Sequence, residues 1–230
     1  MLKRADAAVA VSPPLFETLT ALRTAPKRSE HTHLVFNAID LQEPPKRELA
    51  EETLTLGVIG RFSPEKGQDV MLDALPDVIA QHPHLKLRII GDGQERAALE
   101  ERAQQLGVFE QVEFTGWRSD MPTQYAQLDA LVLSSRSEGL PFAVLEAMSY
   151  GLPVIATRVG AIDQVIKEAE TGWIVEPGDP EALANGINSA LADLTEFARV
   201  GAEGRASLHP RFSPDERART MLALYTGLVS

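Results

Sequence analysis

The feature that most constrains this chain is its alternation of short β-branched or apolar runs with amphipathic stretches, the pattern of a parallel sheet covered by helices. The runs that predict strands are Ala7 to Val11, His33 to Phe36, Thr55 to Ile59, Lys86 to Ile90, Val112 to Thr115, Ala130 to Leu133, Pro153 to Ala156 and Gly172 to Val175. Helices are expected between them. The one after Asp179-Pro180 has a clear start, because Asp can accept from the free amides and Pro at the first helical position has no amide to lose. Helical sequence then dominates to Ser230. The expected fold class is α/β, a doubly wound parallel sheet.

The stretch Gln42 to Glu52 is rich in Pro and charge with no apolar period, and reads as a linker. It divides the chain unequally. The residues before it supply two strands and one helix, too little for an independent core, whereas those after it supply about six strands with helices, a full doubly wound unit. The front piece is therefore expected to be the tail of a domain that is otherwise missing. No internal repeat or low-complexity tract interrupts this plan.

With 230 residues the chain can bury a sizeable core without staples. It has no cysteine, which excludes disulfides and thiolate metal sites and suits a reducing compartment, so a cytoplasmic location is expected. Its 22 Lys and Arg against 33 Asp and Glu give a net charge of -11, which repels nucleic acid and anionic membrane over most of the surface. No nucleic-acid partner is expected, and any bound anion must be captured locally. The opening Met1-Leu2-Lys3-Arg4 followed by Ala7 to Val11 mimics a short signal peptide, but Asp6 interrupts the apolar stretch and Pro13-Pro14 ends it. No apolar run approaches the roughly 18 residues that a membrane helix needs. A soluble chain without a transmembrane segment is expected, and peripheral contact with the inner membrane surface through a partner is compatible with it.

The richest segment for chemistry runs from Ser137 to Gly151, directly after the strand ending near Leu133. Gly139 permits a tight turn and Pro141 suits the first position of a helix. A helix N-terminus is thus expected to point out of the carboxyl end of a strand, where open parallel sheets bind ligands and free amides attract phosphate. Glu138 sits just before the turn. Glu146 follows about one and a half turns into the helix, among Phe142, Val144, Leu145, Ala147 and Met148. A carboxylate in such company is costly unless it is paired or accepts hydrogen bonds. A ribose diol offers it two donors; capping a neighbouring backbone or reaching solvent would also satisfy it.

A second cluster, Gly60-Arg61-Phe62-Ser63-Pro64-Glu65-Lys66-Gly67, follows the strand at Thr55 to Ile59 and opens the next helix. Lys66 near a helix start opposes the macrodipole, a small penalty that a bound anion reverses. Arg61 can clamp phosphate oxygens through its planar fork. The same two residues also read as exposed cations partly balanced by Glu65. Gly91-Asp92-Gly93-Gln94-Glu95-Arg96 has Arg96 in the place of the third glycine of a dinucleotide fingerprint, and is read as an ordinary strand-to-helix turn. His31, His33, His82, His84 and His209 lack a supporting carboxylate or cysteine cluster, and are read as surface residues rather than metal ligands. The Gly-x-Ser-x-Gly of a serine hydrolase is missing.

From Thr53 to about Ser207 the chain resembles the C-terminal, donor-binding domain of the GT-B glycosyltransferases of family 4, the group 1 glycosyl transferases. The residues that carry the resemblance are, in order, Gly60-Arg61 with Glu65-Lys66-Gly67, Gly91-Asp92-Gly93, Phe114-Thr115-Gly116, Leu128-Asp129-Ala130, Ser135 with Glu138-Gly139, Glu146-Ala147, Gly151 with Pro153-Val154, Gly172 and Pro177-Gly178-Asp179-Pro180. Two glutamates separated by seven residues, here Glu138 and Glu146, are that family's hallmark. Ala5 to Ser12 is similar to the last strand of the family's first domain. Phe36-Asn37-Ala38-Ile39-Asp40 is similar to its interdomain segment, with Ala38 where a glycine is usual.

The resemblance implies a Rossmann-like C-terminal half of a GT-B fold and a retaining transfer of a hexosyl group from a nucleoside-diphosphate sugar. It implies that Arg61 and Lys66 hold the donor diphosphate, that Glu138 contacts the transferred sugar and that Glu146 binds the ribose hydroxyls. Backbone amides around Gly139, Leu140, Pro141 and Phe142 would meet sugar and phosphate. Trp117 and Arg118 lie in the loop where the family reads the base, although Trp117 could equally be a core plug. Arg61, Lys66 and the helix start would stabilise the departing diphosphate. Beyond the donor no cofactor or metal is expected, and the Asp-x-Asp pattern of the other large glycosyltransferase fold is absent.

The implied division is a remnant of an N-terminal acceptor domain over 1–41, a linker over 42–52, a sugar-nucleotide-binding domain over 53–207, and a C-terminal helix over 208–230 packing back toward the remnant. A carbohydrate or lipid-linked acceptor and a catalytic histidine would belong to the missing N-terminal domain. A truncated gene model is the expected explanation. The competing functional reading is a sugar-nucleotide-binding module, inactive without a partner. A nicotinamide-dependent oxidoreductase rests on fold analogy alone.

Overall fold

Six of the eight expected strands form one parallel sheet. The structure is a computed structural model and describes residues 6–22, 32–44, 49 and 54–229. The opening Met1 to Arg4, His31 and most of the expected linker lie outside the described residues. The main sheet contains β3 (Thr55–Ile59), β4 (Lys86–Ile90), β5 (Val112–Gly116), β6 (Ala130–Leu133), β7 (Val154–Thr157) and β8 (Trp173–Val175), in the spatial order β5-β4-β3-β6-β7-β8. Ahead of it come β1 (Ala8–Ala10) and β2 (Thr32–Leu34), a separate parallel pair, with α1 (Pro13–Leu22) between them.

Alternation along the central strands shows why both faces need cover. In β6, Ala130 and Val132 join one core layer while Leu131 and Leu133 join the other; in β7, Ile155 faces the first and Val154 and Ala156 the second. On the first face lie α2 (Gln68–Gln81) and, beyond α3 (Arg96–Gln105), α4 (Met121–Tyr125) and α5 (Phe142–Ser149) in sequence, α6 (Pro180–Leu191). Leu72 and Leu75 of α2 and Leu183 and Ile187 of α6 are fully buried there with Leu56, Leu87 and Ile89. The second face is covered by α5, through Val144, Leu145 and Met148. The α6 start follows its sequence signal: Asp179 accepts from the Ala182 amide at 3.0 Å with Pro180 at the first position. The next helix, α7 (Leu194–Ser207), has a cap that sequence reading passed over, Asp193 accepting from Thr195 and Glu196.

Chain direction across the sheet reverses at β3, which pairs with β4 on one side and β6 on the other. This is the topological switch point: the helices that follow β3 and β6 pack on opposite faces of the sheet, the arrangement that places a crevice at the carboxyl edge. A reciprocal pair at the opposite end fixes these two strands: the Asp129 amide donates to the Thr55 carbonyl at 2.8 Å, and the Thr55 amide donates to Asp129 Oδ2 at 2.7 Å.

Two expectations are corrected by the fold. The second strand covers Thr32–Leu34 rather than 33–36, because β1 stops at Ala10 and leaves no ladder partner beyond Leu34 except the single bond from the Val35 amide to the Ala10 carbonyl. His82 is buried rather than on the surface, because its backbone closes α2 onto Val78 and turns the chain into Leu85. His84 and His209 are exposed and His33 is half-buried.

The segment after α7 meets the front piece. Phe36 and Phe212 rings lie 5.5 Å apart with the Arg211 guanidinium 4.8 Å above Phe36, and the Ile39 amide donates to the Phe212 carbonyl. Arg217, in α8 (Pro214–Val229), donates to Asn37 Oδ1 at 3.2 Å. At the edge of the expected linker, Arg205 of α7 donates to the Gln42 and Ser149 carbonyls. Among the described residues no helix is long and apolar enough to cross a membrane.

Candidate functional site

Three loops leave the carboxyl edge at the switch point: Gly60 to Gly67 after β3, Ser134 to Pro141 after β6, and Arg158 to Ala161 after β7. The first two are stitched together by backbone. The Arg136 amide donates to the Glu65 carbonyl at 2.8 Å and the Ser134 hydroxyl donates to the Lys66 carbonyl at 3.3 Å. Gly67 lies so close that a Cβ there would fall 2.1 Å from the Ser134 carbonyl oxygen. The third loop supports the second, as the Ala161 amide donates to the Gly139 carbonyl at 2.8 Å.

This stitching brings Lys66 and Glu138 together from positions 72 residues apart: Lys66 Nζ donates to Glu138 Oε1 at 2.7 Å. The Ser135 hydroxyl donates to the same oxygen at 2.8 Å. Lys66 keeps 27% of its side chain exposed and Glu138 10%, so the pair is largely shielded from bulk solvent at the carboxyl edge of the sheet. Arg61 is placed differently. Its side chain is 74% exposed, and its guanidinium donates to Glu65 Oε1 at 2.8 Å. The Glu65 carboxyl is held down at about 2, first by a backbone hydrogen bond at Glu65 itself and further by Arg61.

The turn between β6 and α5 differs in detail from its sequence reading. Gly139 does not adopt the left-handed backbone that a tight turn asks of glycine; its lack of a side chain instead admits Val11, whose Cγ2 would lie 3.1 Å from a Cβ there. The left-handed glycine is Gly160 in the supporting loop, at φ 60°. Pro141 caps α5 instead of occupying its first turn, with an extended ψ of 125°, because the chain must rise from the sheet edge before turning into the helix. The Leu140 carbonyl accepts from Asn37 Nδ2 at 2.8 Å, so the front piece fixes this turn as well. The first amides of α5, from Phe142 on, have no carbonyl within the helix to pair with, the property that lets a helix start attract an anion.

Glu146 is half-buried on the next turns of α5, and its Oε2 accepts from the Tyr125 hydroxyl at 2.6 Å. Sequence reading did not find Tyr125: it ends a five-residue helix and carries no spacing that ties it to α5. Trp117 is 74% exposed, which removes the core-plug reading. With Arg118 it lines a groove of about 430 Å³ whose other walls include Gly60, Arg61, Gly91, Asp92 and Met121. Arg118 is tied to Asp120 at 3.0 Å and is therefore presented at the rim in a fixed orientation. The Gly91 to Gly93 turn packs against the Arg61 loop, with the Phe62 amide donating to the Asp92 carbonyl. Among the described residues, no group of three His, Asp or Glu side chains is placed to hold a metal ion.

Arg136 locks the Lys66 and Glu138 loops. It donates through both terminal nitrogens to Asp69 at 2.7 Å and to the Pro64 carbonyl at 2.8 Å. The Arg136 guanidinium bonded to Asp69 lowers the carboxyl below its ordinary value of 3.8. A depressed carboxyl stabilises the fold above its unfolded value and loses that contribution as pH falls through the lower folded value. The melting temperature gap between wild type and Arg136→Gln is therefore expected to be full at neutral pH and to narrow below 3.8. Thermal melts at stepped pH check this, and a gap independent of pH overturns it.

Known proteins align with this arrangement. The sequence model described as glycosyl transferases group 1 matches residues 40–207. The lipopolysaccharide core biosynthesis glycosyltransferase LpsE of Rhizobium meliloti is 34% identical over 67% of this chain and 44% of its own length. A GDP-mannose-dependent alpha-(1-6)-phosphatidylinositol monomannoside mannosyltransferase of Mycolicibacterium smegmatis is 33% identical over 64% of this chain and 41% of its own length. Among solved structures, HepE of Anabaena in complex with UDP and glucose superposes with a TM-score of 0.82 at 24% identity, over 96% of this chain and 63% of that one. The sheet and its helices thus have the GT-B architecture, and the chain spans less than half the length of either of these two relatives.

Proposed function

The chain belongs to the glycosyl transferases group 1 family, and on that premise we propose that it carries the donor site of a retaining glycosyltransferase, one that moves a hexosyl group from a nucleoside-diphosphate sugar to an acceptor. The observation that carries the reading is the Lys66 to Glu138 pair at the switch point, beside the start of α5. An ammonium and a helix N-terminus on loops at one sheet edge suit a diphosphate, and a carboxylate bonded to that ammonium suits the hydroxyls of a sugar.

In the proposed reaction the bond from the anomeric carbon to the diphosphate oxygen breaks as the acceptor hydroxyl oxygen bonds the same carbon on the same face, and the hydroxyl proton passes to the departing diphosphate oxygen. Negative charge grows on the leaving diphosphate. Lys66, the α5 amides and, from the rim, Arg61 stabilise that charge, and in this scheme no metal ion is required. Glu138 orients the sugar, and Glu146 accepts from the ribose hydroxyls. The base lies in the groove beside Trp117 and Arg118.

The acceptor, carbohydrate or lipid-linked, is assigned to an N-terminal domain of the kind that the longer relatives have room for. Without it the chain is expected to bind donor and not to turn it over. The absence of cysteine fits a reducing cytoplasm as the setting, with any contact at the inner membrane surface peripheral.

Calorimetric titration with UDP, GDP, ADP and NAD tests the donor reading. Binding of at least one nucleoside diphosphate in preference to NAD is the expected result. Binding of NAD alone, or of none of the four, overturns it.

A further inference from the structure

Tyr125 is 1% exposed, and its hydroxyl is the one polar atom it carries into the second core layer. A buried hydroxyl needs a partner, and the nearest is Glu146 Oε2 at 2.6 Å; the Ala143 carbonyl at 3.4 Å is a longer second choice. The ring is held by stacking on Tyr150, with centroids 5.3 Å apart and planes 24° from parallel. Tyr150 follows Glu146 by four residues, so the two rings and the carboxylate form one packed unit across α4 and α5.

We propose that Tyr125 is a positioning residue for the nucleotide site, its hydroxyl fixing the Glu146 carboxylate in the rotamer that accepts the ribose 2′- and 3′-hydroxyls, and so setting selection of ribonucleotide over deoxyribonucleotide donors. The inference rests on the ribose role of Glu146 proposed above. One carboxylate oxygen is committed to the phenol, which leaves Oε1 and the remaining lone pair of Oε2 for a diol. A carboxylate free to rotate would lose the geometry that two donors 1,2-related on a ring demand. Burial, and then the Glu146 charge, raises the Tyr125 phenol above its ordinary range, so it remains a donor.

The test is the ratio of affinities for UDP and 2′-deoxy-UDP, and for GDP and 2′-deoxy-GDP, measured by calorimetry on wild type, Tyr125→Phe, Glu146→Gln and the double variant. Phenylalanine keeps the ring and its stack, and thermal melts identify any global loss of structure. Wild type is expected to prefer the ribonucleotide, and Tyr125→Phe to reduce that preference by about fivefold to tenfold, less than the loss of a direct hydrogen bond to a charged group because the phenol acts on the ribose only through Glu146. The double variant should add little to Glu146→Gln, since both changes act through one carboxylate.

If Glu146→Gln removes the preference while Tyr125→Phe keeps it, the positioning role is overturned and the ribose role stands. If Glu146→Gln leaves the preference intact, the ribose role falls and the positioning role with it. Should Tyr125→Phe unfold, incorporation of a fluorinated tyrosine at 125 replaces it. A shift of the ribo-to-deoxy ratio with the acidity of the phenol supports the proposal, and an unchanged ratio overturns it.

Discussion

Lys66→Ala is expected to lower the affinity of this chain for a nucleoside diphosphate by about a hundredfold, the size of effect that follows from losing a charge-assisted contact of roughly 3 kcal/mol. Two effects add. The ammonium that attracts the diphosphate is gone, and Glu138, only 10% exposed, keeps its carboxylate in the crevice without a cation beside it. That carboxylate then repels the incoming phosphates at short range where solvent screens weakly. Arg61→Ala is expected to cost less, because Arg61 is 74% exposed and already neutralised by Glu65. The sequence put the two cations on an equal footing as diphosphate ligands; their different exposure ranks them.

A second variant separates the two effects in Lys66→Ala. Adding Glu138→Gln to Lys66→Ala removes the repulsion but not the missing attraction, so affinity should recover in part. Titrations with UDP and GDP at fixed ionic strength, repeated at higher salt, measure both steps. An affinity unchanged in Lys66→Ala removes this residue from the diphosphate site, and the donor reading would then lose its principal support.

The centre of the main sheet was legible because β6 and β7 are buried on both faces, so their apolar runs stand out with no need of alternation; Ala130 to Leu133 and Val154 to Thr157 are buried at all four positions. The short pair β1 and β2 was less so, since three residues of ladder are set by where a neighbour stops rather than by their own pattern. In the site, the Gly60 to Gly67 and Ser137 to Gly151 segments were visible as glycine, proline and charge at strand ends. What joins them was not. Lys66 meets Glu138 across 72 residues, Asn37 meets the Leu140 carbonyl across 103, and Tyr125 meets Glu146 from a five-residue helix. Such partners are chosen by topology, which brings the β3 and β6 loops side by side, and a linear reading has no period by which to find them. Gly139 and Gly160 show the same limit. The glycine inside the motif attracted the turn argument, yet the backbone demand lies on the glycine of the loop beneath it.

That demand leads to the largest expected loss of stability. Gly160→Ala is expected to destabilise the fold by about 3 to 5 kcal/mol, well above the roughly 1 kcal/mol cost of a left-handed backbone for alanine alone. The excess comes from contact: a Cβ at 160 would lie 2.2 Å from the Gly139 carbonyl oxygen and 2.4 Å from that of Glu138. Neither is the end of a flexible side chain, so backbone must move. The movement breaks the bond from the Ala161 amide to the Gly139 carbonyl and displaces Glu138 from Lys66 and Ser135. Gly178→Ala is the control, since Gly178 has a similar left-handed φ of 75° with nothing within 4 Å of the added carbon. Urea unfolding of the two variants should therefore differ by at least 2 kcal/mol or so, with nucleoside diphosphate binding lost in Gly160→Ala and retained in Gly178→Ala. Equal destabilisation would mean that the Arg158 to Ala161 loop yields freely, and that the Glu138 turn is held by the Arg136 lock and Asn37 rather than from beneath.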